Sequence, residues 1–399
     1  MRSLRVAVAG GGLGGLALAQ GLLRAGADVT VYERDASLAT RRQGYRLHLD
    51  ARAGLALDAT LPPESFALFQ AICAQPSRRL TVTTERLRVL HEQVAADRGA
   101  DPYAPATLST SVDRQTFREV LAAGLDGRIA FGHELARYEV GAGGVRLYFA
   151  DGQQAEADVL VGADGVGSAV RHQYLPAASP VDSGARCIYG KTLLGPDTAL
   201  PAVVKDGFTA VVGGRIGMAI GVVRFRTPPQ ALGLTPAQDY VMWALAGDGQ
   251  CFGVPDTELA ALDPAGLYTL SAGLIRTWHP DLRALHAAAD IGETFAIRVR
   301  TSPAAPAWPP SRVTVLGDAI HAMSPARGSG ANTALQDAAL LCRMLTTDGS
   351  DVVAAIGDYE QQMREYGYAA VAASRQAEAQ TGARRNRLLF WLYRRLARS

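Results

Sequence analysis

Three short stretches of this 399-residue chain carry residues suited to holding a flat ligand rich in phosphate and hydroxyl groups. The first is Gly10-Gly-Gly-Leu-Gly-Gly15, where Gly10, Gly12 and Gly15 fill the glycine places of G-x-G-x-x-G, with Leu13 and Gly14 between them. The first glycine permits a tight turn, the second lets backbone approach a pyrophosphate, and the third lets helix and strand pack closely. Glu33 follows about 20 residues on, where an acid can accept from ribose hydroxyls. The second stretch is Asp164-Gly165, with Ser168 and Arg171 behind it, read as a second cofactor contact. The third runs from Gly317-Asp318 to Asn332. There Asp318 suits a hydroxyl-bearing chain, and Gly328 and Gly330 let backbone lie against a flat ring. Arg114 stands in the first turn of a helix, against the dipole preference. It reads either as serving a nearby anion or as a surface arginine. The first stretch leaves the ligand open between NAD(P) and FAD.

Each stretch needs the same support, a strand leading into a loop that opens a helix N-terminus onto the anion. Residues 4–9 read as a buried strand, 16–25 as a helix and 28–32 as a second strand. In 45–50 the apolar Tyr45, Leu47 and Leu49 alternate with Arg46, His48 and Asp50, the period of a strand. Its polar face turns either to a site or to solvent. A helix over 51–59, a hairpin over 80–93 and a helix start at 111–121 follow, with Ser111 or Asp113 as cap. Residues 157–171 read as a buried strand followed by a helix, and 312–316 and 333–345 as another such pair. Residues 175–300 differ in character. Strands are expected at 186–194, 208–212, 215–226 and 291–300, with helices at 237–246 and 264–278. The fold class is therefore α/β, a Rossmann-like domain with an inserted, mainly antiparallel sheet domain. The dinucleotide-binding domain is assigned 1–70, 106–174 and 301–370, the substrate domain 71–105 and 175–300, and a C-terminal bridging helix 371–399. The basic, apolar tail of that helix reads as docking across both domains or as lying on an anionic membrane.

The formal net charge of +2 points to no acidic or basic partner. Lys191 and Lys205 are the only lysines, and the arginines form no dense patch of the kind that tracks nucleic acid. The 4 cysteines are scattered without C-x-x-C, which suits a reducing cytosol, and no apolar run reaches the length of a membrane span. A cytoplasmic monomer without nucleic-acid partner or metal is expected. No spacing for a protein nucleophile or a metal site is present.

The three motifs, in this order and spread over most of the chain, resemble the single-component FAD-dependent aromatic hydroxylases, whose best-known relative is p-hydroxybenzoate hydroxylase. The segment 358–367 and the chain length look like the tetracycline-inactivating and antibiotic-tailoring monooxygenases. The resemblance implies FAD as cofactor and NADPH or NADH as a transient reductant. It implies that Gly10, Gly12, Leu13, Gly14 and Gly15 line the pyrophosphate, with Glu33 and Arg34 at the adenosine end. Arg114 and Asp164 would contact FAD, Asp318 the ribityl chain, and Pro325, Gly328, Gly330, Ala331 and Asn332 the isoalloxazine. Arg41, Arg46 and His48 are the candidates beside the reacting atoms, Arg41 where relatives place an arginine near cofactor or NADPH. At His48 the tetracycline-inactivating enzymes carry an acid, so its role here is open. The implied reaction is hydroxylation of an aromatic or polyketide-like small molecule by O₂ through a C4a-hydroperoxyflavin. A Baeyer–Villiger oxygenation, or a flavin-bearing binding protein without turnover, are the alternatives. The lack of a second G-x-G-x-x-G argues against disulfide reductases. The isolated Trp243, Trp278, Trp308 and Trp391 lack the halogenase W-x-W-x-I-P pattern.

Overall fold

The computed structural model describes residues 3–40, 45–94, 99, 101–195, 198, 200–205, 207–347, 349 and 351–381. Arg41 and the tail beyond residue 381 lie outside the described residues. β1 (Arg5–Ala9), α1 (Leu13–Arg24) and β2 (Asp28–Glu33) form the expected opening unit. α1 carries an almost continuous run of buried Ala, Leu and Gly, because it packs against the sheet and against a second helix layer. β3 (Arg46–Asp50) leads into α2 (Ala51–Thr60), which Asp50 caps by accepting from the Arg52 N–H, and then into α3 (Pro63–Ile72). β4 (Arg79–Thr84) and β5 (Val89–Val94) are the expected hairpin.

β6 (Ser109–Asp113) pairs with β3 antiparallel and runs straight into α4 (Arg114–Ala122). Ser111 is therefore a strand residue, and Asp113 is the cap, accepting from the Thr116 N–H at 3.0 Å. β7 (Ile129–Phe131) is followed by a three-stranded meander of β8 (Leu135–Val140), β9 (Val145–Phe149) and β10 (Gln154–Ala157). β11 (Val159–Gly162) and α5 (Ala169–Tyr174) carry the second motif.

The inserted sheet begins with β12 (Val181–Leu193), β13 (Gly207–Val212), β14 (Ile216–Val223) and β15 (Tyr240–Asp248). The helix expected at 237–246 is instead β15. Val241, Trp243 and Leu245 pack on one side of the sheet while Tyr240 and Met242 pack on the other. With both faces covered the apolar run is unbroken, and its periodicity cannot tell strand from helix. α6 (Asp256–Ala261), α7 (Pro264–Leu274) and α8 (Pro280–Ala287) precede β16 (Phe295–Thr301), so the strand expected from 291 starts only after a 3₁₀ turn at Ile291–Glu293.

β17 (Val313–Val315), the short α9 (Asp318–His321), α10 (Gly330–Leu345) and α11 (Val352–Thr381) complete the chain. Strands β17-β11-β1-β2-β7 form a parallel five-stranded sheet, and β16-β12-β15-β14-β13-β4-β5 a seven-stranded one, with β4 parallel to β13. The early hairpin thus belongs to the inserted sheet. α11 touches both parts: Glu360 accepts from Thr314 of β17 at 2.8 Å, and Glu378 accepts from Ser183 of β12 at 3.2 Å. Glu360 is 1% exposed, its Oε2 has no hydrogen-bond partner among the described residues, and burial pushes its carboxyl up to about 7.

Candidate active site

The glycine loop closes the carboxyl end of β1. Gly10 holds φ at +108°, and a Cβ there would sit 2.4 Å from the Ala163 carbonyl oxygen. At Gly15 a Cβ would fall 2.2 Å from the Gly10 oxygen. Only residues without Cβ let the loop, α1 and the end of β11 approach so closely. Gly12 is the N-cap of α1 and, being glycine, brings no side chain to bond the first turn. Its backbone N–H groups and the positive end of the helix dipole are left for a ligand.

Beside this loop lies a cavity of about 450 Å³ that joins all three motifs. Gly10, Gly12, Leu13, Gly14 and Gly15 line it from the first, Asp164 and Gly165 from the second, and Gly317, Asp318, Gly330 and Ala331 from the third. Glu33, Arg34 and Arg114 complete its wall. Asp318 is surrounded by protein yet open to the cavity, and this enclosure pushes its carboxyl upward against the pull of His321 and Arg114. Arg114 is lowered by the same enclosure, opposed by Asp318. Asp164 accepts from the Ala169 N–H at 2.7 Å through Oδ2, while its enclosed Oδ1 has no partner among the described residues.

Glu33 is engaged more tightly than its ribose-binding expectation implies. One carboxylate oxygen accepts from the Gly11 N–H at 2.9 Å and from Arg118 at 3.0 Å, and the other accepts from the Asp35 N–H at 2.9 Å. Arg118 also donates to the Gly11 and Leu38 carbonyls, so it fastens the glycine loop from α4. Sequence reasoning missed it, although it stands one turn after Arg114 on the same helix. Arg34 is exposed, 3.9 Å from Glu134.

Ser168 and Arg171 do not border this cavity. Ser168 caps α5, and Arg171 donates to the carbonyls of Val166 and Ala319, tying the second motif to the third. Pro325, Gly328 and Asn332 also lie outside the cavity wall. Pro325 and Gly328 are exposed on the loop before α10. Asn332 is fully buried: it donates to the carbonyls of His48 and Gly328 and accepts from the Asp50 N–H. Its side chain thereby fixes β3 against that loop. Arg46 and His48 share one face of β3. Burial, then Arg46, lowers the His48 imidazole, and burial brings Arg46 down to about 10.

A second network was missed. Asp337 of α10 accepts from the Gly317 N–H at 2.7 Å, from Tyr366 of α11 at 2.6 Å, and pairs with His321 at 2.6 Å. Burial opposes charge on His321, but the Asp337 carboxylate raises it overall. The third motif is thus held from behind by two helices.

Comparison with known proteins agrees with this geometry. The model of an NAD(P)-binding Rossmann-like domain matches residues 8–70, and that of an FAD binding domain matches 273–374. A solved Photorhabdus luminescens structure, described as an FAD-containing monooxygenase, is 32% identical, with 95% of this chain and 99% of that one covered and a TM-score of 0.82. A dual O-methyltransferase/FAD-dependent monooxygenase of Cercospora beticola is 36% identical over 387 residues, covering 90% of this chain and 44% of the relative. The chain spans less than half the length of such curated relatives. A tetracycline destructase of 15% identity shares the fold, with a TM-score of 0.64 over 94% of this chain and 89% of that one.

Proposed function

The chain belongs to the FAD-dependent monooxygenases, and on that premise we propose that it uses NAD(P)H and O₂ to hydroxylate an aromatic or polyketide-like small molecule. The observation that carries this reading is the one cavity in which all three motifs meet. Its donors and acceptors fit FAD. The open N-terminus of α1 suits the pyrophosphate, and Glu33 with Arg34 lies where the adenosine half would follow. The cavity-facing Asp318 is an acceptor open to a hydroxyl donor.

Bound there, the flavin would supply the redox chemistry, taking a hydride from NAD(P)H and activating O₂ at its C4a position. The chain's own residues prepare the setting. His321 and Arg114 counter the upward push of enclosure on the Asp318 carboxyl. The 16-residue α10 directs its N-terminal dipole toward Gly330 and Ala331, where negative charge on a reduced ring would be stabilised. Asn332 holds β3, and with it Arg46 and His48, at a fixed distance from the loop of Pro325 and Gly328. The face of the seven-stranded sheet opposite β3 would close the substrate space and limit water.

The test is direct. Purified protein should be yellow, release FAD on denaturation, and oxidise NADPH or NADH with O₂ uptake when an accepted substrate is present. Product made under labelled O₂ should carry one labelled oxygen atom as a new hydroxyl. Release of FMN, or failure to bind FAD on reconstitution, would overturn the assignment. A ring-expanded ester in place of the phenol would move it to the Baeyer–Villiger outcome.

A further inference from the structure

Arg114 stands where its own helix does not favour it. It is the first residue of α4, a cation at the positive end of the dipole, yet it lines the cofactor cavity and feels the charge of Asp318. Its backbone neighbours hold it there. The Arg114 N–H, one of the first-turn donors that a helix leaves free, donates to the Tyr45 carbonyl at 2.7 Å. The residue before it, Asp113, uses one carboxylate oxygen as the cap, accepting from the Thr116 N–H at 3.0 Å and from the Thr116 hydroxyl at 3.1 Å. The other oxygen accepts from the Tyr240 hydroxyl at 3.0 Å.

Both neighbours are tied to the inserted sheet. Tyr240 belongs to β15 and is fully buried, and the Tyr45 hydroxyl donates to the Glu293 carbonyl in the 3₁₀ turn before β16. The two rings meet edge to face, their centres 6.4 Å apart at 72°. Tyr45 meets Phe295 of β16 in the same way, 5.4 Å apart at 70°, and Phe295 stacks on Tyr189 of β12 at 5.2 Å and 6°. Ring pairs of these kinds favour one mutual orientation. A close-packed group transmits a displacement instead of absorbing it. Among the described residues no member of the seven-stranded sheet lines the cofactor cavity, and neither Tyr45 nor Asp113 does.

We infer that Tyr45 and Tyr240 are positioning residues for FAD. They hold Arg114 in the cavity wall from outside it, Tyr45 through the backbone and Tyr240 through the Asp113 carboxylate. The inserted sheet thereby sets cofactor affinity without touching the cavity. This rests on FAD occupying that cavity, as the monooxygenase reading has it. The coupling is reciprocal, so a loaded cavity steadies β15 and the turn before β16 in return.

The test is a double-mutant cycle read by equilibrium dialysis of FAD against the folded protein. Tyr240→Phe keeps the ring and loses only the hydroxyl. It should weaken FAD retention about three- to tenfold, a part of the roughly ten- to a hundredfold that a hydrogen bond to a charged group is worth. In an Arg114→Met background the same substitution should change FAD affinity by less than about twofold, because the residue through which it acts is gone. A general loss of stability would instead weaken FAD equally in both backgrounds. Asp113→Ser keeps a cap on α4 but is too short to meet Tyr240. It should match Tyr240→Phe, and the two together should lose no more than either alone. Tyr45→Phe carries the same cycle should Tyr240→Phe not fold. Backbone hydrogen exchange in the turn Ile291–Glu293 should slow when FAD is loaded, and should cease to respond in Arg114→Met even at saturating FAD.

Unaltered FAD affinity in both Tyr240→Phe and Tyr45→Phe, or an equal loss with and without Arg114, would overturn the inference. A parent protein that retains FAD in that event leaves the monooxygenase reading standing. A parent protein that binds no FAD counts against the reading itself.

Discussion

Glu360→Gln should make the protein more stable in mildly alkaline solution and change it little in acid. Glu360 is 1% exposed, on the helix that spans both parts of the fold, and only one of its oxygens is bonded. Burial raises its carboxyl from 4.5 to about 7, so the folded state favours the protonated form. Below the unfolded value both states are protonated and nothing is lost. Between that value and about 7 the unfolded chain ionises while the native chain holds its proton, so stability falls as pH rises. Above about 7 the loss is complete, and the gap converts to at most roughly 3 kcal/mol at 1.36 kcal/mol per tenfold. Glutamine keeps an acceptor for Thr314 and never ionises. Thermal denaturation at about pH 5 and about pH 8.5 should therefore show a melting difference between variant and parent that opens on the alkaline side. Hydrogen exchange in α11 should slow in the variant under the same conditions, because Glu360 docks that helix. Parallel melting profiles for the two proteins across this range would refute the reasoning.

Three further outcomes are expected. Asp318→Ala should weaken FAD retention by roughly ten- to a hundredfold, the worth of a hydrogen bond to a charged acceptor; equilibrium dialysis of the folded variant decides, and unaltered affinity removes Asp318 from the site. Arg118→Met removes the guanidinium that donates to the Glu33 carboxylate, 5% exposed, at 3.0 Å, and should lower stability by about 3–5 kcal/mol in denaturant titrations. On the acid side, burial lowers His286 from 6.5 to about 4, against Ser271 at 2.7 Å. Its contribution is full above the unfolded value and is lost as pH falls through about 4. His286→Phe should flatten that acid limb of the stability profile, and an unchanged slope would show that other groups set it.

What could be read from the sequence was what is local. The strand, glycine loop and helix around Gly10 to Gly15 are set by neighbours within one turn, and so are the loops before α9 and α10. Arg114 was legible because a cation in a first helical turn breaks a local rule. The strand β15 was not legible, since covered apolar strands carry no alternation. Arg118 and Asp337 were missed for a different reason. Each acts on a partner far along the chain, Glu33 in one case and Gly317, His321 and Tyr366 in the other. Ser168 and Arg171 looked like ligand contacts because their spacing behind a strand end is that of a motif. In the fold the same spacing serves a helix cap and a tie between loops.

The parallel sheet also dictates an order of events during synthesis. β1 sits between β2 and β11, and its partner residues on the β11 side run from Val159 to Gly162. At about 5–20 residues per second, the ribosome delivers that strand on the order of ten seconds after β1 has emerged. Until then one edge of Val6 to Ala9 offers unpaired backbone groups to any passing strand. The cofactor pocket is completed later still, because Asp318 and the start of α10 follow the whole inserted sheet. FAD therefore cannot serve as a nucleus for folding: it binds a nearly finished molecule, and its effect is to trap that molecule by mass action. A shortage of flavin during expression should then appear as slow loss of folded apoprotein to proteolysis, and late addition of FAD should rescue chains already made.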